Sequence, residues 1–387
     1  MKGTRTSFVA AALAVALIST AGPATAGGSA PTSGSGDRTV SAGDSTDLAT
    51  GLLSPLRLAV GRDDTTYVAQ NFAGQLTRVD GDGGTTTIVD RPGIEVGGVS
   101  TRHGDVYYTE SAGGPGSPDP FVATVSVLED GDGDARVLAD FAALETENNY
   151  DGDNEYGFQD LPEECTAQLP ADLAQFLLPH GGEVYSHPYA TAVSGSGRYV
   201  YVADAGANVV WTVDVWDDEV DATVLDPVPT LATAELRASL AADGINLPEC
   251  VLGYTFNSEP VPTDIEFGPD GLLYLTSLPG VPEDPTLGSV RSFDPESGDI
   301  DVVVTGLTSP TGLAFDRDGN LFVAELFANR ISIIPAGTDD AEVFTDATLP
   351  ADVEVDGKYL YSTRNAVPGD TAPAGTLVRT RLEYDRH

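Results

Sequence analysis

One short pattern recurs six times along this chain and limits its possible folds more than any other feature. Two or three apolar residues, or a Tyr-Ser pair in the last copy, precede a small residue and then a polar one. The copies end at Gln70, Glu110, Asp204, Ser277, Glu325 and Arg364, as in Tyr201-Val202-Ala203-Asp204 and Phe322-Val323-Ala324-Glu325. Each follows an opening position that is usually Pro: Pro55, Val96, Pro188, Pro262, Pro310 and Pro350. The cleanest copy spans residues 309–335, where two apolar strands flank Asp316-Arg317-Asp318-Gly319 and a third strand follows. Short runs rich in Val, Ile and Phe, joined by Gly and Asp turns, form antiparallel meanders. A fourth strand follows in most copies, for example at residues 86–89, 136–139 and 300–304.

Six copies of four antiparallel strands predict an all-β chain folded as a six-bladed β-propeller. The last copy ends with three strands. Residues 47–52, Asp-Leu-Ala-Thr-Gly-Leu, resemble residues 303–307, Val-Val-Thr-Gly-Leu, which close the fourth copy. An N-terminal strand is therefore expected to complete the last blade and close the ring, removing exposed sheet edges.

The spacing of the copies places two insertions, at about 144–186 and 226–261. Each carries one cysteine, Cys165 or Cys250, and one short helical pattern, at residues 171–177 and 234–242. The chain begins with Lys2 and Arg5, an apolar run over 8–18 and a small-residue Ala-Thr-Ala site, which reads as a signal peptide over 1–26. Residues 27–46 read as a flexible leader and 47–387 as a single propeller domain. An exported chain makes a Cys165–Cys250 disulfide the default, worth about 4 kcal/mol in the chain-entropy account. The expected location is secreted or extracellular, with no membrane span and a monomeric state.

Charge narrows the partners. With 19 Lys and Arg against 60 Asp and Glu, the formal net charge is −41. Such a surface repels nucleic acid and anionic lipid, so no nucleic-acid role is expected.

The order ENNYDG (147–152), SHPYATAV (186–193), VADAGANVVWTVD (202–214), PVPTDIEFGPDGLLYL (260–275) and SPTGLAFDRDGNLFVAE (309–325) resembles the ScyD/ScyE family. These are secreted six-bladed propellers, similar to the wider NHL and TolB-like propellers. The resemblance covers roughly residues 48–387 and implies the fold rather than a reaction. In the family pattern Pro usually follows the Asn pair and Asn precedes Pro-Tyr; here Tyr150 and His187 stand there.

The first strand of each blade lines a propeller's channel. Arg57, Gly98, Ala190, Asp264, Gly312 and Asp352, two residues after the opening positions, are expected on its wall. Gln70, Glu110, Asp204, Ser277, Glu325 and Arg364 are expected as a polar ring at one mouth, or else bonded to loop backbone. Asn148, His187 and Tyr189 join the ligand set because they border the first insertion. Asn149-x-Asp151-x-Asp153 offers alternating oxygens for Ca²⁺ or another divalent cation, with a solvated acidic loop as the alternative. No cofactor is otherwise implied. No Gly-x-Ser-x-Gly elbow or phosphate loop occurs. The expected function is non-catalytic binding of a small molecule, glycan or protein at the channel mouth. The alternative is a metal-dependent, gluconolactonase-like hydrolase.

Overall fold

The computed structural model describes residues 39–385 apart from 132, 243, 282–286 and 368–372. The expected signal peptide and the first part of the leader lie outside these residues. The described chain forms six four-stranded antiparallel sheets and one three-stranded sheet. Five of the six are up-and-down meanders whose first strands are Pro55–Val60, Glu95–Arg102, Pro188–Val193, Pro262–Phe267 and Pro310–Phe315. The sixth consists of Val353–Asp356, Tyr359–Arg364 and Gly375–Tyr384, with Val40–Leu52 paired antiparallel to the last of these. Sheets are numbered one to six in that order.

Val40–Leu52 corrects the expected flexible leader, since regular structure begins inside residues 27–46. Gly375–Tyr384 would otherwise present ten residues of unpaired backbone. Pairing depends on main-chain N–H and C=O groups, so a Ser-, Gly- and Asp-rich partner can serve as well as an apolar one.

Apolar side chains on alternate strand positions pack between neighbouring sheets. One cluster joins sheets one and two through Leu76, Val96 and Tyr108, and another joins sheets two and three around Trp211. The pattern repeats at the next three seams, and Leu58, Val68, Tyr361 and Leu377 join sheet six to sheet one. The first strands also touch in succession, and Val353–Asp356 contacts Pro55–Val60. Side chains stitch several seams: Thr109 Oγ1 donates to the Pro188 carbonyl (2.7 Å) and Thr263 Oγ1 to that of Pro310 (2.9 Å).

The two insertions form one cap. Gly157–Phe158 and Val228–Leu231 flank Thr255–Ser258 in the three-stranded sheet. Its apolar cluster, including Phe158, Leu177, Leu240 and Phe256, contains no side chain of the six sheets. The Cys165–Cys250 disulfide bridges a sequence separation of 85. The helix expected at 234–242 is present as Ala234–Ala242. Residues 171–177 hold only Ala174–Leu177, with a further turn at Glu163–Thr166. A helix at Phe141–Asn148 was not expected; Asp140 Oδ1 caps it by accepting from Ala143 N at 3.0 Å.

Candidate functional site

Arg57 dominates the centre. It lies on the first strand of sheet one and is 2% exposed. Its Nη1 stands 3.1 Å from Asp352 Oδ1 and 3.7 Å from Asp264 Oδ1, while Nη2 donates to the carbonyls of Thr263 and Thr311. The guanidinium also lies over the Tyr189 ring, 4.7 Å from its centroid. Small residues let neighbouring first strands approach closely here. A Cβ on Gly312 would come within 2.6 Å of Asp352 Cα, and one on Gly98 within 2.7 Å of Ala190 Cα. Asp352 Oδ2 accepts from Leu58 N and Asp264 Oδ2 from Leu313 N, both at 2.7 Å, so each carboxylate also ties its strand to the next sheet.

The strand period places two further carboxyls, Glu266 and Glu354, one step along the same faces. They share a hydrogen bond, and both are held well above the usual carboxylic-acid range by burial and by the neighbouring carboxylates. Burial also raises both Asp264 and Asp352, against the pull of Arg57. Glu266 and Glu354 are half-buried and keep some accessible surface. Four carboxyls against one guanidinium favour retention of protons near neutrality. The sequence reading missed this pair, although each lies two residues beyond an Asp it had singled out.

The polar residues of the repeat do not form the expected open ring at a mouth. Most are used inside their own sheets. Gln70 accepts from Leu53 N (2.7 Å) and donates to Thr77 Oγ1 (2.8 Å). Glu325 accepts from Thr308 N (2.6 Å), Arg330 (2.7 Å) and Ser332. Asp204 accepts from His187 N, Gly206 N, Ala207 N, Ser186 Oγ and Trp211 Nε1. Ser277 donates to the Pro260 carbonyl, and Glu110 pairs with Arg91 Nε at 3.2 Å. Arg364 Nε reaches Ser362 Oγ at 3.4 Å, and burial lowers its pKa. In five of the six copies the marker is a staple that closes the loop before the first strand; Arg364 stays on its own strand. At this end Leu56, Tyr189, Ala205, Leu326, Ala351 and Ala366 pack together as an apolar plug above Arg57.

His187 lies beside the plug. Its Nε2 is 3.2 Å from Glu95 Oε2, and Glu95 Oε1 accepts from Asn71 Nδ2 at 2.9 Å. Burial acts to lower the His187 pKa, but the Glu95 carboxylate outweighs it and the net shift is upward. Burial likewise opposes ionisation of Glu95, and His187 reverses that, holding the carboxyl below its ordinary value. Tyr185 stacks on the imidazole at 6.2 Å and Tyr189 meets it edge-on at 5.6 Å. Asn71, Glu95 and Tyr185 were not foreseen, because they come from different sheets and loops.

The residues expected to hold calcium have separate tasks. Asp151 is fully buried; its Oδ2 accepts from Tyr156 Oη (3.0 Å) and Asn208 Nδ2 (2.9 Å). Asn149 Nδ2 donates to the Gly182 carbonyl at 3.0 Å, whereas Asp153 is exposed. Asn148 is also exposed and bonds its own helix at Leu144 O. Among the described residues no three His, Cys, Asp or Glu side chains gather as a metal site would require. Of the Asn149, Asp151 and Asp153 expectation, the exposed Asp153 stands apart from the buried Asp151, and no carboxylate cluster of the described residues supports it. Asp151 instead fastens the cap. Asn208 bridges it to Glu259 Oε1 (3.4 Å) while accepting from Val261 N. Burial pushes Asp151 up to about 6, Glu259 up to about 7 and the nearby Glu145 up to about 8.

No protein-family model matches the chain, and no curated protein does. Its neighbours among solved structures are β-propeller proteins. A PQQ-bound aldose sugar dehydrogenase from Streptomyces coelicolor is 14% identical, with a TM-score of 0.55, covering 89% of this chain and 98% of that one. A structural-genomics protein of unknown function from Bacteroides thetaiotaomicron is 12% identical, with a TM-score of 0.54, covering 90% and 77%. At such identities the likeness is one of fold: the chain is similar to all-β propellers built from four-stranded antiparallel sheets.

Proposed function

We propose that this is a secreted, six-bladed binding propeller of the ScyD/ScyE type. In this reading the six sheets form a closed ring, sealed by Val40–Leu52, and the capped end holds a small molecule, glycan or protein. The successive contacts of the first strands and the apolar seam between sheets six and one support closure. The motif order that resembles ScyD/ScyE supports the family. The Cys165–Cys250 disulfide is compatible with export, and no helix of the described residues is long and apolar enough to cross a membrane.

The single observation that carries the binding reading is the guanidinium of Arg57 at the centre, held by Asp264, Asp352 and two carbonyls. A lactonase-type enzyme needs a divalent ion in this region. Here the two best-placed carboxylates already share the Arg57 guanidinium, and each accepts a backbone N–H. The dehydrogenase neighbour's PQQ transfers no cofactor to this chain at 14% identity. Binding then falls to the capped end, where His187, Glu95 and Tyr185 adjoin the apolar plug.

Elemental analysis of the purified protein, with melting curves in chelator, tests the choice. The binding reading expects no stoichiometric divalent ion and an unchanged Tm. A tightly held ion whose removal lowers Tm, together with lactone turnover, would replace it with the lactonase reading.

A further inference from the structure

The turns joining first to second and third to fourth strands lie at the end away from the cap. Between sheets one and two they enclose a cleft of about 430 Å³. Its lining includes Arg62, Arg78, Arg102 and His103, in a chain with only 19 Lys and Arg against 60 Asp and Glu. Scarce cations are thus gathered in one concavity of an acidic chain.

Basic residues occur in other first turns, but they have partners there. Arg198 is held by Asp214 and Asp217, and Arg317 lies over Tyr384 and against Asp318. Lys358 sits over the Tyr359 ring. In the cleft the balance differs. Arg78 Nε pairs with Asp80 Oδ1 at 3.1 Å, so those two charges offset each other. Arg102 turns its Nε–Nη2 edge to the Gly195 carbonyl, with Nε at 3.0 Å, a neutral acceptor that leaves its charge uncompensated and its Nη1 side for a ligand. Arg62 is exposed and has no acidic partner among the described residues; its Nη1 lies 3.7 Å from where a Cβ on Gly104 would stand. The lining sets two carboxylates, Asp80 and Asp130, against the three guanidinium groups of Arg62, Arg78 and Arg102.

The walls suit a compact polar ligand. The Tyr67 ring borders the cleft on one side, with its hydroxyl 2.9 Å from a Cβ built on Gly131, and Thr65 and Thr101 contribute polar atoms. A volume of this size lies within the range of small-molecule sites, roughly 300–1,000 Å³. Guanidinium groups bind planar oxyanions through paired N–H donors.

We propose that this cleft is a second binding site, distinct from the capped end, for a small hydroxylated ligand bearing an oxyanion. Arg62 and Arg102 provide the charge, and the Tyr67 ring packs against the ligand body. A carboxylate sugar and a phosphate present the same chemistry to the two guanidinium groups.

Isothermal titration with D-glucuronate, inorganic phosphate and neutral D-glucose, at low and high salt, tests this. The full secreted chain is compared with Arg62→Ala, Arg102→Ala and, as a control outside the cleft, Arg317→Ala. The expected result is saturable binding of glucuronate or phosphate at one site per chain and none of glucose. Binding should weaken at least tenfold in Arg62→Ala and Arg102→Ala, remain unchanged in Arg317→Ala, and weaken with salt. Glucuronate alone would assign a carboxylate ligand and phosphate alone a phosphorylated one. No saturable binding of either anion would overturn the proposal. So would equal binding by the wild type and both cleft variants, with circular dichroism confirming that all are folded.

Discussion

Arg57 shows how far one residue can commit a structure. A buried guanidinium must be paired, and removing it leaves carboxylates buried without a counter-charge. Arg57→Met should therefore destabilise the protein by about 3–5 kcal/mol in urea unfolding. Adding Asp264→Asn and Asp352→Asn should recover part of the loss, because the unpaired charges go with the Arg. Equal midpoints for the single and triple variants would refute that account. His187 and Glu95 form a different kind of pair. The raised His187 pKa contributes stability below its unfolded value, which is lost as pH rises through the folded value. The lowered Glu95 pKa contributes stability above its unfolded value, which is lost as pH falls through the folded one. The pair thus stabilises best between these limits. Glu95→Gln should lower the His187 pKa in an NMR titration.

At the scale of elements, the cap and the six sheets are separate packing units. The cap's apolar cluster meets the rest of the chain at Val281, in a loop of sheet four, and a polar seam of Asp151, Asn208 and Glu259 fastens it. Carboxyls with raised folded pKa values resist ionisation in the folded state. Their contribution is complete below the unfolded pKa and is lost as pH rises through the folded values, here about 6 for Asp151, about 7 for Glu259 and about 8 for Glu145. Stability should accordingly increase as pH falls from 8 towards 5. Asp151→Asn should flatten that dependence, measured as Tm against pH. Replacing Cys165 and Cys250 by Ala should cost about 2–5 kcal/mol. Hydrogen exchange should then rise first over the three-stranded sheet and Ala234–Ala242, with the six sheets still protected. Uniform loss of protection would show that cap and sheets open as one unit.

For the whole molecule, the decisive contact joins the two ends of the chain. Val40–Leu52 pairs with Gly375–Tyr384, and Ala49 and Leu52 enter the apolar cluster between sheets six and one. Deleting residues 1–52 should expose the edge of Gly375–Tyr384 and open that seam. The shortened protein should aggregate or melt well below the intact chain, whereas removal of residues 1–38 should leave Tm unchanged. An unaltered Tm after the longer deletion would show that the strand is ornamental.

Residue pattern alone determined the repeated four-stranded sheets, the strand borrowed from the N-terminal segment and the two cysteine-bearing insertions. These depend on local rules: strand alternation, turn chemistry and the spacing of copies. The same local reading placed Arg57, Asp264 and Asp352 at equivalent positions without revealing that the first would pair with both of the others. It also left the polar residue of each repeat between a ring at one mouth and a bond to loop backbone, and most of those groups hold their own loops. Only the tertiary structure brought Asn71, Glu95 and His187 together, stacked Glu266 against Glu354, and turned Asp151 from a metal candidate into a fastening for the cap. Each of these depends on distances between strands far apart in the chain. Electrostatic pairing follows those distances, and the repeat leaves them undetermined because it specifies where a side chain points but not what it meets.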